Sequence, residues 1–298
     1  MLAGCGQRAR PPAGQAGKPR IALIMKSLAN EFFQTMENGA REHQRAHAAD
    51  YDLIANGTKD ESDIGRQVDL VEQMIAERVD AIVIAPADSK ALVPICKRAL
   101  DAGIVVINID NRFDAGVLAE KNIRIPFVGP DNRKGAKLVG DYLGAKLKPG
   151  DKVAIIEGVP TAFNAIQRKL GFEEAMKGVG AHVVSSQSAG WETARANQVA
   201  AALITEYPDL KAILCATDSM ALGAVAALKE SGKADQIQIV GFDNISAMRS
   251  LVMNQKVLAT ADQHGDQLAV YGIDYALEML GKKSVPDDRE TPVDLITR

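Results

Sequence analysis

Short apolar, β-branched runs alternate with stretches of helical periodicity along almost the whole chain, and the alternation runs through twice. In the first pass the strand-like runs are Ile21–Met25, Tyr51–Ala55, Ala81–Ala85 and Ile104–Ile109. Between them the apolar spacing predicts helices over Phe33–His47, Ser62–Glu77 and Ala91–Ala102, with Gly103 placed as a left-handed cap. A helix over Lys134–Leu147 and a Pro149-Gly150-Asp151 turn close this half. The second pass predicts strands over Val153–Glu157, Val183–Ser186, Ala212–Ala216 and Ile237–Gly241. Helices are predicted over Gln167–Lys177, Glu192–Tyr207 and Met220–Ser231, and Gly232 stands where Gly103 stood. A repeat of roughly 130 residues is too long for a solenoid and right for a domain. Parallel strands with helical crossovers are the economical way to fold such a unit. The expectation is an α/β protein of two similar doubly wound parallel-sheet domains.

Bulk properties narrow the partners. A chain of 298 residues suffices for two domains of ordinary size, and a net charge of −3 without blocks of like charge gives no footprint for nucleic acid or a basic membrane face. The partner is expected to be small. Only 4% of residues are aromatic, so each aromatic side chain in a predicted loop draws attention. Cys5, Cys96 and Cys215 show neither CxxC nor metal-ligand spacing, and the latter two fall inside helical and strand patterns as small core hydrophobes. Arg8 to Pro19 has the Pro-, Gly- and Ala-rich composition of a linker. Leu2-Ala3-Gly4-Cys5 resembles a bacterial lipobox, with chance as the alternative, and no run approaches the ~18 apolar residues of a bilayer span.

Ligands of open α/β sheets bind at the carboxyl ends of the strands. After the first strand that edge holds Lys26 to Asn30 and then Phe32-Phe33, which read either as a core aromatic pair or as a binding wall. The fourth strand of the first half ends in Asp110, and its counterpart in the second half ends in Asp243. A strand-end Asp alone is most often a cap or turn former. Two at equivalent places, in domains that face each other, would both point into one cleft.

The runs IALIMKSLANEFF, DAIVIAPADSKAL, VVINIDNR, KLGFEEAM, CATDSMALGAVAAL, IVGFDN and LATADQ, in that order, resemble the periplasmic binding proteins of the ribose-binding type, which supply ABC sugar importers. The resemblance extends from about Arg20 to the end, and the ligand-binding cores of lactose-repressor-type regulators share the fold. It implies a tail over 1–19, one lobe from 20–130 plus 264–293, another from 131–263 plus 294–298, and three crossing segments. It places the family's ligand contacts on Asn30, Phe32, Phe33, Asp110, Arg168, Trp191, Asp243 and Gln263, where aromatic rings sandwich a sugar and charged or amide groups take its hydroxyls. Three positions depart from the pattern: Lys26 for a small polar residue, Asn111-Arg112 after Asp110, and Thr217 for an amide before Asp218. Lys26 is either a solvated loop lysine or a pocket group, and Asn164, expected on the loop before Arg168, is a further candidate.

Rival classes leave weaker traces. The chain has no GxGxxG after the first strand, no GxxxxGK[ST], no HExxH and no GxSxG. Glycosidase chemistry by the paired carboxylates needs one with a raised pKa, which the cations Arg168 and Lys26 would oppose. A transcription regulator needs a helix-turn-helix ahead of the core, whereas a short Pro/Gly tail precedes Ile21. The resemblance therefore implies an extracytoplasmic, monomeric binder, possible lipid attachment being through Cys5. Its partners would be a monosaccharide or small polyol, a membrane permease and a chemoreceptor, with no nucleic acid, no metal and no cofactor. Two carboxylates facing two cations would suit a neutral ligand over a sugar acid, and Lys26 beside Asp110 would favour a compact one, a pentose before a hexose.

Overall fold

The computed structural model describes residues 17–282 and 284–298. Its first half runs β1 (Arg20–Ser27), α1 (Glu31–Ala46), β2 (Asp52–Thr58), α2 (Ile64–Ala76), β3 (Ala81–Ile84), α3 (Val93–Asp101), β4 (Val105–Ile109), α4 (Ala115–Glu120) and β5 (Phe127–Pro130). The second half follows with α5 (Asn132–Gly144), β6 (Lys152–Glu157), α6 (Phe163–Val179), β7 (His182–Ser188), α7 (Thr193–Glu206), β8 (Ala212–Cys215), α8 (Asp218–Glu230), β9 (Gln238–Val240) and α9 (Ser246–Met253). The chain ends with β10 (Thr260–Asp262), α10 (Gly265–Lys282), β11 (Arg289–Thr291) and β12 (Asp294–Ile296).

Two parallel sheets result, in the orders β2-β1-β3-β4-β5-β11 and β7-β6-β8-β9. Side chains on a strand alternate faces, and the first sheet uses both. Ile21, Leu23 and Met25 of β1 join the cluster that contains Phe33, Met36 and Leu268 of α1 and α10, while Ala22 and Ile24 join Leu70, Met74 and Val93 of α2 and α3. That is why β1 reads as an unbroken apolar run. The repeat also appears in the helix crossings. A Cβ on Gly39 of α1 would lie 2.0 Å from the Asp266 carbonyl oxygen of α10, and one on Gly171 of α6 would lie 2.3 Å from that of Arg133 in α5. Only a bare backbone lets either helix pair approach so closely.

The chain passes between the sheets after β5, between β10 and α10, and between β11 and β12: β11 pairs with β5 in the first sheet, and β12 pairs antiparallel with β10. A single bridge from Ala259 to Val240 joins the β10 segment to the second sheet. Helix α10 packs on α1, β3 and β4, and so belongs with the first sheet. Cys96 and Cys215 are buried core residues, while Cys5 lies outside the described residues. Among the described residues no helix is long and apolar enough to cross a membrane.

Candidate functional site

A cavity lies where the carboxyl edges of the two sheets meet, lined by Lys26, Asn30, Phe32, Phe33, Glu61, Asp110, Asn164, Arg168, Trp191, Thr217, Asp243 and Gln263. The aromatic walls come from opposite sides. Phe32 and Phe33 open α1 and pack edge to face, with centroids 5.1 Å apart, whereas Trp191 follows β7 with a left-handed backbone at φ 74°. Lys26 Nζ sits between them, 5.3 Å from the Phe33 ring centroid and 5.8 Å from that of Trp191.

Each lobe contributes one buried ion pair. Lys26 Nζ lies 2.9 Å from Asp110 Oδ2 and 3.8 Å from Glu61, and both lysine and Asp110 are almost fully buried. Burial alone would lower the lysine, but Asp110 and Glu61 outweigh it and hold the ammonium above the usual lysine range. Burial pushes the Glu61 carboxyl up against the pull of Lys26. In the other lobe Arg168 Nη1 faces Asp243 Oδ1 at 3.5 Å. The guanidinium also donates to Asn132 Oδ1 (2.7 Å) and to the Ala216 carbonyl (2.8 Å), and it stacks 3.7 Å above the Phe242 ring. Gln263 Nε2 donates to Asp243 Oδ1 at 2.6 Å. Both strand-end acids sit at positive φ, 61° for Asp110 and 122° for Asp243, backbone conformations that persist where the surroundings over-determine them.

Several side chains already have structural work. Asn30 caps α1 by accepting from the Phe32 N–H, and its amide donates to Glu61 at 2.7 Å. Thr217 caps α8 by accepting from the Met220 N–H. Two buried acceptors that line the cavity take no hydrogen bond, Asn164 Oδ1 and Gln263 Oε1, whereas Asp110 Oδ2 faces only the Lys26 ammonium. The Trp191 indole N–H is a third unpartnered group, and a donor.

Two expectations need correction. Asn111 is buried but does not line the cavity. The left-handed turn at Asp110 precedes it, and its amide donates to the Pro86 carbonyl while its Oδ1 accepts from the Asn164 N–H. Asn164 is not on a loop either, since α6 begins at Phe163 and places it in the first turn. Glu61 was missed from the sequence, and with it the charge count: three carboxylates and two cations line the cavity. Glu61 follows β2 as Trp191 follows β7 of the same repeat, and that correspondence was the available signal.

Residues 21–284 match the family model described as a periplasmic binding protein domain. The chain is 57% identical over 284 residues to the D-ribose/D-allose-binding protein of Pseudomonas aeruginosa, covering 94% of this chain and 89% of the relative. It is 32% identical to the D-allose-binding periplasmic protein of Escherichia coli, over 85% of this chain and 81% of the relative. Among solved structures, an ABC transporter solute-binding protein of Burkholderia multivorans, holding an unknown ligand represented as α-D-erythrofuranose, superposes with a TM-score of 0.93 at 57% identity, over 95% of this chain and 100% of the other. One from Actinobacillus succinogenes with bound D-allose gives 0.89 at 35% identity, over 94% and 98%. The chain belongs to the periplasmic binding proteins, a family that binds solutes for transport and is not one of enzymes.

Proposed function

We propose that the protein is the extracytoplasmic solute-binding component of an ABC importer and that its ligand is a neutral aldose, with D-ribose and D-allose as the first candidates. The observation that carries this reading is the pair of unpartnered buried acceptors, Asn164 Oδ1 and Gln263 Oε1, held beside two buried ion pairs and between aromatic walls from opposite lobes. A sugar ring offers apolar C–H faces to the rings and hydroxyl donors to the acceptors. The names of the relatives support ribose and allose together, so the preference for a pentose over a hexose is carried here by Lys26, which takes up the end of the cavity beside Asp110.

The third carboxylate sharpens the preference for a neutral ligand. Every cation in the cavity already faces an acid, and an aldonate would have to displace one of those pairs and leave a buried carboxylate uncompensated. The contact residues are then Lys26, Asn30, Phe32, Phe33, Glu61, Asp110, Asn164, Arg168, Trp191, Thr217, Asp243 and Gln263. The protein acts as a monomer that presents its closed form to a membrane permease, with a chemoreceptor as a second partner of the same surface and Cys5 as the point of lipid attachment. Calorimetry with D-ribose, D-allose and D-ribonate tests the ligand class. The aldoses are expected to bind and the aldonate not to. Asp243→Ala is expected to weaken aldose binding by about 2–5 kcal/mol, the usual loss for one partner of a buried charged pair. Tight binding of the aldonate with inert aldoses would overturn the reading.

A further inference from the structure

Asp218, in the first turn of α8, does not line the cavity and has no contact with solvent. Its Oδ1 accepts from the Thr260 hydroxyl of β10 at 2.7 Å and its Oδ2 from the Ile245 N–H at 3.0 Å, while its own N–H donates to the Phe242 carbonyl at 2.7 Å. Thr260 Oγ1 in turn accepts from the Asn244 N–H at 3.4 Å. These bonds enclose the Asp243-Asn244 step, in which both residues have positive φ, 122° and 54°. Such a step holds only when its neighbours fix it. Even Gly241 takes part, since a Cβ there would fall 2.1 Å from Asp218 Oδ1.

We propose that Asp218 is a positioning residue: its carboxylate clamps the turn from Asp243 to Ile245 onto β10, the segment where the chain crosses between lobes, and so ties the aim of Asp243 and the sugar affinity to the charge of a buried acid pair. The proposal rests on the reading of Asp243 as a sugar contact. Thr260 donates to Asp218 while accepting from Asn244, so the hydrogen-bond network is complete with Asp218 ionised. A proton on that carboxyl removes an acceptor and loosens the turn.

The groups that face Asp218 are Cys215 of β8, Asp243 on the turn, Asp262 of β10 beyond Asn244, and Arg168 of α6. Burial pushes the Asp218 carboxyl up to about 7. Burial likewise raises that of Asp243, with Arg168 opposing and Asp218 adding repulsion. The turn that aims Asp243 at the sugar is complete only with Asp218 ionised, so sugar binding favours the ionised form of Asp218. The sugar-bound protein therefore holds fewer protons than the sugar-free one, and affinity rises as pH rises through the Asp218 range.

The test is calorimetry with D-ribose and D-allose across a pH series for the wild type, Asp218→Asn, Thr260→Val, Thr260→Ser and Asp243→Asn. The wild-type Kd should fall as pH rises through about 7. Asp218→Asn should bind about tenfold more weakly, as expected for a lost hydrogen bond to a charged group, with a flatter profile than the wild type. Thr260→Val should weaken binding in the same direction, and Thr260→Ser, which keeps the hydroxyl, should bind as the wild type does. If Asp218→Asn does not fold, the two Thr260 variants carry the test. Wild-type affinity and pH profile in both Asp218→Asn and Thr260→Val would overturn the positioning role. Undiminished binding by Asp243→Asn would instead overturn the sugar-site reading.

Discussion

A lysine ammonium that is 3% exposed stays charged only where acids hold it, and Lys26 has two, at 2.9 and 3.8 Å. Removing it as Lys26→Met leaves Asp110 and Glu61 buried side by side. Breaking one partner of such a set costs about 3–5 kcal/mol, so the sugar-free variant should show a clearly lower melting temperature. Lys26→Met/Glu61→Gln should recover part of the loss because it removes one of the stranded acids. Equal melting temperatures for wild type and Lys26→Met would mean that the lysine is not held as described. The same residues show what could be read in advance. Asp110 and Asp243 stood out because each ends an apolar strand, but Glu61 did not, because Asn56-Gly57 breaks the apolar run and makes the rest of β2 read as loop. Asn111 misled because sequence carries no mark of the φ of 61° at Asp110 that turns the chain before it.

The N-cap positions of α6 and α9 are Ala162 and Ile245, neither of which can cap with its own side chain. The first lobe supplies the missing acceptors from across the cleft. Ser89 Oγ accepts from the Phe163 N–H at 2.9 Å, Asn111 Oδ1 from the Asn164 N–H at 3.2 Å, and Glu31 Oε1 from the Ser246 N–H at 2.7 Å. An acid at a helix N-terminus also meets the positive end of the helix dipole. These bonds exist only when the lobes are together, so they stabilise the closed form selectively. Glu31→Ala and Ser89→Ala should each weaken sugar binding by about 0.5–2 kcal/mol, the usual value of a cap, although neither residue lines the cavity. Their sugar-free melting temperatures should stay near the wild-type value; a change in stability with unaltered affinity would place the contacts outside closure. The absent caps also explain why α9 escaped prediction, since Ile245 gives no start signal. The long elements, with buried stripes at regular spacing, were legible, whereas α4, β5 and β11, of three to six residues, were too short for any period to register.

Two doubly wound lobes joined where the chain crosses three times can open about those crossings, because the helices packed on each sheet belong to the same lobe as that sheet. Opening has something to gain and something to lose. It returns Lys26, Asp110, Arg168 and Asp243 to water, relieving a desolvation cost of several kcal/mol per ion. Against that stand the three cross-lobe caps and the bond from Ser219 Oγ to Asn30 Oδ1 at 3.3 Å, each worth about 0.5–1.5 kcal/mol net. The relieved desolvation outweighs these few bonds, so the sugar-free protein should populate an open form, and a ligand that bonds to both ion pairs only when they face each other should select the closed one. Solution scattering should therefore show the radius of gyration falling when D-ribose or D-allose is added, and falling less for Glu31→Ala at equal occupancy. A bound sugar should also raise the melting temperature as its concentration exceeds Kd. Superimposable scattering curves with and without a sugar that calorimetry shows to be bound would sink the closing motion while leaving the site intact.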